Sequence, residues 1–492
     1  MGVIIRQSIK NSVYSYAGFA LGAFNTLLIM PRVLEKAQVG LLNTLVAYSW
    51  IMAILLTLGM QGVVIRYFSR FRDDQKGRFL FLVMLVPLLG FTAFTTAFFL
   101  SPDTFLNLLH KKEALFIENY RYAFWMAFGN LFFELFSAWM KSHLITGPSI
   151  LLRELALRIF NLVLYAAYFY DIIGFETLVI GYAASYPGIF LILFGYAAYR
   201  KTLSFELKLP DHSRREMSSF ALYNLFNAGV IYVVFQLDVV MLQNYSGLED
   251  VALYTISVFA ATVIQLPYRA LTTIALPVIA RSFSENDLKN VADVYRKSSH
   301  TMLLIGGIIY VLLVVCIPHL KFFLPPEYRD GIEFCVIVLG LAKWIDVSTG
   351  LNSAVISQSS YYRFDIVANM ALLFTAFLTN YLLIPMYGIK GAVFATLISL
   401  SFFNFVRVGY IQYKLHMGAL TVKSIFSVIV LGLLISVGLL LPDLHHPVAN
   451  IALRACSVLL LFTFALYKFR LSEDITDLIS TAGSKVKNKI SK

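Results

Sequence analysis

The run Thr301–Pro318 reads TMLLIGGIIYVLLVVCIP and contains no charged residue. Its length is close to what a bilayer demands. About 30 Å of hydrocarbon, crossed at about 1.5 Å per residue, takes roughly 20 apolar residues in an α-helix. Thirteen further runs of this kind occupy the chain. Eight precede it: Asn11–Val33, Gly40–Val64, Phe79–Ser101, Tyr122–Met140, Glu154–Tyr170, Phe175–Tyr199, Ser218–Leu242 and Val251–Ile279. Five follow: Gly331–Ile356, Phe364–Ile384, Gly388–Tyr413, Val422–Leu441 and Pro447–Lys468. Counted in chain order they are spans 1–14. The fold class they predict is all-α, a polytopic membrane protein of about 14 transmembrane helices.

Composition agrees. The chain is 59% hydrophobic and 14% charged, whereas about 25% of an ordinary globular domain is charged. The longest gaps, such as Ser101–Tyr120 and Arg281–Ser299, hold about twenty residues, too few for an independent core. Residues 1–10 are polar and basic, and the first run is long enough to span, so it is expected to stay as span 1 rather than leave as a cleaved leader.

Charge sets the orientation, because cytoplasmic loops retain Lys and Arg. With the N-terminus inside, about 28 of the 40 basic residues fall in cytoplasmic segments, among them Arg66, Arg70, Arg72, Lys76 and Arg78. Both termini are then cytoplasmic. The same bias accounts for most of the net charge of +12, so no nucleic-acid partner is implied. The tail Lys485, Lys487, Lys489 and Lys492 reads as topology or attraction to lipid headgroups. Cys316, Cys335 and Cys456 have no paired spacing and no histidine at ligand spacing, so neither a disulfide framework nor a metal site is indicated.

The spans group into halves. Spans 1–6 (residues 1–200) and 7–12 (218–413) each open with a helix pair ending on a basic loop, Arg66–Arg78 and Arg281–Lys297, and residues 201–217 link them. The expected architecture is two six-helix lobes, an appendage of two C-terminal helices (414–468) and a basic cytoplasmic tail (469–492). The opening pairs carry polar residues at helical spacing: Ser15, Gly18, Gly22 and Asn25; Asn43, Thr57 and Gln61; Tyr223, Asn227 and Asp238; Thr262, Gln265, Arg269 and Thr272. Such faces avoid lipid. They serve either close helix packing, for which Gly18-x-x-x-Gly22 is suited, or a shared polar cavity. Pro87, Pro187, Pro267 and Pro277 each remove a backbone hydrogen bond and permit a kink.

Charges inside spans are the candidates for function. Lys343 and Asp346 are placed to pair at i,i+3, and Glu134 to pair with Arg158 across adjacent antiparallel spans. Asp238 is a candidate for capping or ion coupling. Trp50 and Trp344 lie mid-span, where they could stack on sugar rings. Trp125 and Trp139, near span ends, read as interfacial belt.

The segment Asn380–Ser399, NYLLIPMYGIKGAVFATLIS, resembles the polysaccharide transporter family, the bacterial O-antigen and exopolysaccharide flippases, in which an Asn-rich helix end, LIP-x-YG-x-x-GA and a Thr recur. LLIMPRVL from Leu27 and DVVML from Asp238, with the later Leu253-Tyr254 and Pro277, are similar to that family too. Ala252 departs from the family's usual Gly before this Leu-Tyr pair. The family lies in the multidrug/oligosaccharidyl-lipid/polysaccharide exporter superfamily. The resemblance implies two six-helix lobes with two extra helices, alternating access and no cofactor. It also implies a lipid-linked oligosaccharide, carried on undecaprenyl pyrophosphate, flipped from the cytoplasmic to the periplasmic leaflet of the inner membrane. Membrane lipids, a polysaccharide polymerase with its assembly proteins, and a coupling ion (H+ or Na+) complete the partners of such a carrier.

A pyrophosphate needs a cationic point on its path, and Arg offers a planar fork of donors for it. Arg269, with Gln265 and Thr272 on the same face, is the first candidate. Asn25, Gln61, Asn227 and Trp50 extend the expected cavity. A purely structural pairing of Arg269 with a carboxylate is the alternative. Three rival functions remain in view. A multidrug/cation antiporter would imply a carboxylate in span 1, which has none. A lipid II flippase would imply several Arg there, and Arg32 stands alone. A membrane-embedded polymerase or ligase would imply a large outer loop and catalytic side chains. The only adjacent His pair is His445-His446, and no Ser/His/Asp or metal spacing occurs.

Overall fold

The computed structural model describes residues 2–107, 109–111, 113–204, 206–207, 214–419 and 421–472. The tail lysines Lys485, Lys487, Lys489 and Lys492 lie outside the described residues. All secondary structure among the described residues is helical. The principal helices are α1 (Lys10–Val33), α2 (Lys36–Leu56), α3 (Met60–Tyr67), α4 (Lys76–Leu100), α5 (Tyr122–Ser142), α6 (147–169), α7 (Phe175–Tyr199), α8 (Arg214–Asn224) and α9 (Val230–Tyr245). They continue with α10 (Leu248–Thr262), α11 (Leu266–Ser284), α12 (Leu288–Leu320), α13 (Pro326–Ser348), α14 (Asn352–Gln358), α15 (Phe364–Tyr387), α16 (Ile389–Leu415), α17 (Val422–Leu440) and α18 (Pro447–Phe469).

Ten helices among the described residues are long and apolar enough to cross a membrane, or up to 12 if each of two bent pairs is one span. The protein is therefore a multi-pass membrane protein, but the count of about fourteen is not reached on length and composition. The runs left out are α5 and α6. Asn130 and Glu134 lower the hydropathy of α5, and α6 carries Arg153, Glu154 and Arg158. Both are continuous helices of span length all the same.

Two other expectations change. Gly40–Val64 is not one helix: α2 stops at Leu56, and Leu58 and Gly59 adopt positive φ of 50° and 74° before α3 begins. The cytoplasmic loop expected over Arg281–Ser299 is mostly helix, since α11 runs to Ser284 and α12 starts at Leu288. The Asp287 carboxylate caps α12 by accepting from the Asn290 amide at 3.0 Å. Of the prolines, Pro267 has the visible effect. It has no N–H to offer Val263, and a 3₁₀ turn over Val263–Gln265 takes up the gap, closed by the Leu266 amide on the Val263 carbonyl.

The chain forms two compact units, Met1–Ile256 with Asn380–Ile389, and Ser257–Thr379 with Lys390–Lys492. These units are defined by packing, whereas the six-helix halves are a proposal about repeats, and the two partitions divide the chain at different points. In the first unit α5 is the central helix, with fifteen of its residues buried. Enclosure by protein rather than lipid is why it tolerates Asn130 and Glu134. Trp139, expected in an interfacial belt, is 1% exposed there, its indole donating to the Thr202 carbonyl at 3.3 Å. Trp125 is exposed. In the second unit α12 holds the centre, where Leu304, Val311 and Val315 pack with Leu431, Val458 and Leu466 of α17 and α18. Close packing of this kind, rather than water exclusion, is what associates helices inside a bilayer.

Candidate functional site

Helix 1 meets α6 along the expected small-residue face. A Cβ on Gly18 would lie 2.7 Å from the Glu154 Cβ and carbonyl oxygen, and one on Gly22 would coincide with the Arg158 guanidinium. Arg158 donates to the Gly18 carbonyl, and Asn25 Nδ2 donates to the Arg158 carbonyl at 2.9 Å. The packing reading of Gly18-x-x-x-Gly22 therefore holds.

The expected Glu134–Arg158 pair does not form. Arg158 bonds Glu154 at 3.0 Å, one turn away on its own helix, and Glu134 lies 3.4 Å from Arg153. The reason is that α6 begins at Gly147 rather than Glu154 and contains a π turn over Leu152–Ala156. A π turn adds residues to the turn and rotates everything beyond it. Arg153 thereby becomes the residue sequence reasoning missed. Its guanidinium sits 4.3 Å from the Trp50 ring centre and donates to Asn130 Oδ1 at 2.8 Å. Asn130 in turn donates to Ser49 Oγ at 3.1 Å. Trp50 also lies parallel to Tyr232, with ring centres 6.0 Å apart. An earlier start for span 5 would have brought Arg153 into view. Two further π turns, Phe24–Ile29 and Leu225–Gly229, hold Asn25 and Asn227. Gln61 is partly buried, with its Nε2 shielded from water and without a partner among the described residues.

Still within this unit, Asp238 collects the family-like segments of the sequence. Its carboxylate accepts from the Tyr254 hydroxyl at 2.5 Å and from Asn380 Nδ2 at 2.5 Å. Asp238 is 8% exposed, Tyr254 3% and Asn380 0%, so the carboxylate is held by uncharged donors inside the helices.

In the second unit the carboxylate of Asp346 is bonded from two other helices. Gln265 Nε2 and Asn404 Nδ2 donate to it, each at 2.9 Å. Asn404 Oδ1 accepts from Thr349 Oγ1 at 2.8 Å and from Asn352 Nδ2 at 2.9 Å. Lys343 is buried on the same helix. Nearby in sequence, Arg407 forms a buried pair with Asp365 at 2.9 Å, bonds Asn369 at 3.2 Å and covers the Phe403 ring at 4.1 Å. Trp344 is no sugar platform: its indole donates to the Leu303 carbonyl at 3.0 Å and it stacks on Tyr310.

Of the proposed Gln265–Arg269–Thr272 face, only Arg269 is left available. Gln265 serves Asp346, and the Thr272 hydroxyl bonds the Tyr268 carbonyl at 2.9 Å. Arg269 is exposed, and its guanidinium makes no ion pair or hydrogen bond among the described residues. No group of His, Cys, Asp or Glu among the described residues could hold a metal ion.

A family model described as polysaccharide biosynthesis protein matches residues 9–283. No curated protein matches the chain. Among solved structures, the lipid II flippase MurJ in an inward closed conformation is similar at a TM-score of 0.74 and 14% identity, over 94% of this chain and 100% of that one. An inward-facing multidrug resistance MATE family transporter of the MOP superfamily is similar at 0.62 and 14% identity, over 84% and 98%. A mutant of the Vibrio cholerae MATE transporter VcmN follows at 0.54 and 14% identity, over 85% and 98%. At such identities the likeness concerns the fold, a polytopic transporter fold.

Proposed function

Because this chain belongs to the polysaccharide biosynthesis protein family, in the multidrug/oligosaccharidyl-lipid/polysaccharide exporter superfamily, we propose that it is a flippase and not an enzyme. Its cargo is an undecaprenyl-pyrophosphate-linked oligosaccharide, an O-antigen or exopolysaccharide repeat unit. It moves this cargo across the bacterial inner membrane by alternating access, with both termini cytoplasmic. The observation that carries the reading furthest is Arg269. An exposed guanidinium with no protein partner among the described residues, in a helix of membrane-spanning length, is costly unless it meets water or an anion. A pyrophosphate supplies that anion. Trp50 beside Arg153, with Gln61 and Asn227, would meet the glycan. Asp238, whose carboxylate accepts from the Tyr254 hydroxyl and the Asn380 amide, would bind the coupling H+ or Na+.

The fold likeness to a lipid II flippase favours a lipid-linked cargo in general. The absence of acidic residues from Lys10–Val33 argues against a cation-coupled drug exporter. The test is reconstitution. Purified protein in liposomes is expected to translocate a lipid-linked oligosaccharide chemically intact, and Asp238→Asn to abolish the response to an imposed ion gradient. A new glycosidic bond, or sugar released from its lipid, would overturn the reading.

A further inference from the structure

Where α1 enters its span, α1, α6 and α7 enclose a cavity of about 360 Å³, within the range of roughly 300–1,000 Å³ typical of small-ligand sites. Its walls are mostly apolar, built by Leu151, Ile192 and the rings of Tyr14 and Tyr196. Leu151 and Ile192 are 40% and 58% exposed, so the cleft opens sideways, toward what is hydrocarbon in a membrane.

Its polar groups are few and complementary to one kind of guest. Lys10 places an exposed ammonium at the rim, with no ion pair among the described residues. Asn11 Nδ2 donates to Thr146 Oγ1 at 2.7 Å, and Asn11 Oδ1 is shielded from water and has no donor among the described residues. A buried acceptor in that state costs free energy until something donates to it. Beyond the cavity, Gly188 and Gly195 flank Ile192 on the same face of α7 by helical periodicity. A Cβ on either glycine would meet nothing within 4 Å. On that open face an acyl chain leaving the cavity past Ile192 meets no side chain at either glycine.

A cation beside an apolar cavity that opens toward hydrocarbon calls for an anion and a tail in one molecule. We propose that the cleft binds one phospholipid of the phosphatidylglycerol type, in the leaflet where the chain begins. The phosphodiester pairs with Lys10, and an acyl chain fills the apolar cavity and leaves it past Ile192. This site is separate from the cargo path and does not depend on what the protein carries. By filling the seam between α1 and α6 the lipid steadies the helix whose Gly18 and Gly22 receive Glu154 and Arg158.

Native mass spectrometry of the full-length protein, released from nanodiscs of defined composition, reads this without any transport assay. From phosphatidylglycerol discs the protein is expected to retain one lipid. Phosphatidylcholine, neutral overall, is expected to be retained at least about tenfold less. Lys10→Gln should lower retention about tenfold. Gly195→Leu, which places a side chain on the face that the acyl chain crosses and removes a helix glycine, should abolish it while the thermal midpoint in lipid-free detergent does not fall. Equal retention of phosphatidylcholine, or full retention by both variants, would overturn the proposal. So would displacement of the lipid by inorganic phosphate, which would mean that the tail is not held. Displacement by an equimolar amount of undecaprenyl phosphate would overturn it as well and make the cleft a cargo site.

Discussion

At the scale of single residues, a charge inside a membrane helix means little until its partner is known, and Arg269 and Arg407 show the two outcomes. Arg407 is 5% exposed and Asp365 6% exposed, and each finds the other. Removing one member of such a pair strands the other, a loss of about 3–5 kcal/mol in soluble proteins. Asp365→Ala should therefore reduce the abundance and thermal stability of the protein in membranes, and the double variant Asp365→Leu with Arg407→Met should recover most of both. A single variant as stable as the parent would show that the pair contributes nothing. Arg269 has no such partner among the described residues. Arg269→Ala is expected to leave membrane abundance unchanged and to abolish polysaccharide export. Arg269→Lys should restore export only in part, since an ammonium keeps the charge but loses the planar two-pronged contact. A scarce Arg269→Ala protein would point to a packing role, and normal export would rule out contact with cargo. Both arginines fall inside apolar runs of the sequence, Arg269 in Val251–Ile279 and Arg407 in Gly388–Tyr413. Their difference does not show there, because it depends on which helix faces each one.

At the scale of elements, packing is decided where helices approach within a side chain's width. Gly18 meets the Glu154 backbone, which cannot move aside cheaply, whereas Gly174 has nothing within 4 Å. Gly18→Val should cost about 1–3 kcal/mol through overpacking, seen as a lowered thermal midpoint and lower yield, and Gly174→Ala should be neutral. Equal midpoints for the two variants would remove the close approach of α1 and α6 from the account. The small-residue spacing was legible before the structure, but its partner helix was not. The same limit applied to α6. Its π turn over Leu152–Ala156 separates Arg158, the partner that the adjacency of antiparallel spans suggests for Glu134, from Arg153, which meets Glu134. At Pro267 the local reading succeeded, because a missing N–H acts on its own helix whatever surrounds it.

At the scale of the whole chain, orientation is the property that charge arithmetic alone can propose. Reporter fusions at Asp73 are expected to report the cytoplasm, and fusions at Asn107 and Leu248 the periplasm. A reversed result at any two of these sites would invert the map, and with it the direction proposed for the cargo. The count of spans depends on packing as well as on length and composition. A hydropathy threshold asks whether a helix could sit in lipid by itself, and α5, with fifteen buried residues, does not have to.

Sequence by itself determined the class of this protein and the order of its helices, because the thickness of hydrocarbon is a requirement on consecutive residues and needs no knowledge of neighbours. It also exposed the segments around Asp238, Leu253-Tyr254 and Asn380 as family-like. Only the tertiary structure decided that these segments close on one carboxylate through the Tyr254 hydroxyl and the Asn380 amide, and that Gln265 and Asn404 donate to Asp346. It decided likewise that Arg153, not Arg158, faces Glu134. The physical reason is common to all three. A hydrogen bond between helices is fixed by azimuth and by the identity of the neighbour. Azimuth is reset by every π turn, 3₁₀ turn and glycine break, and neighbours are chosen by packing between residues far apart in the chain.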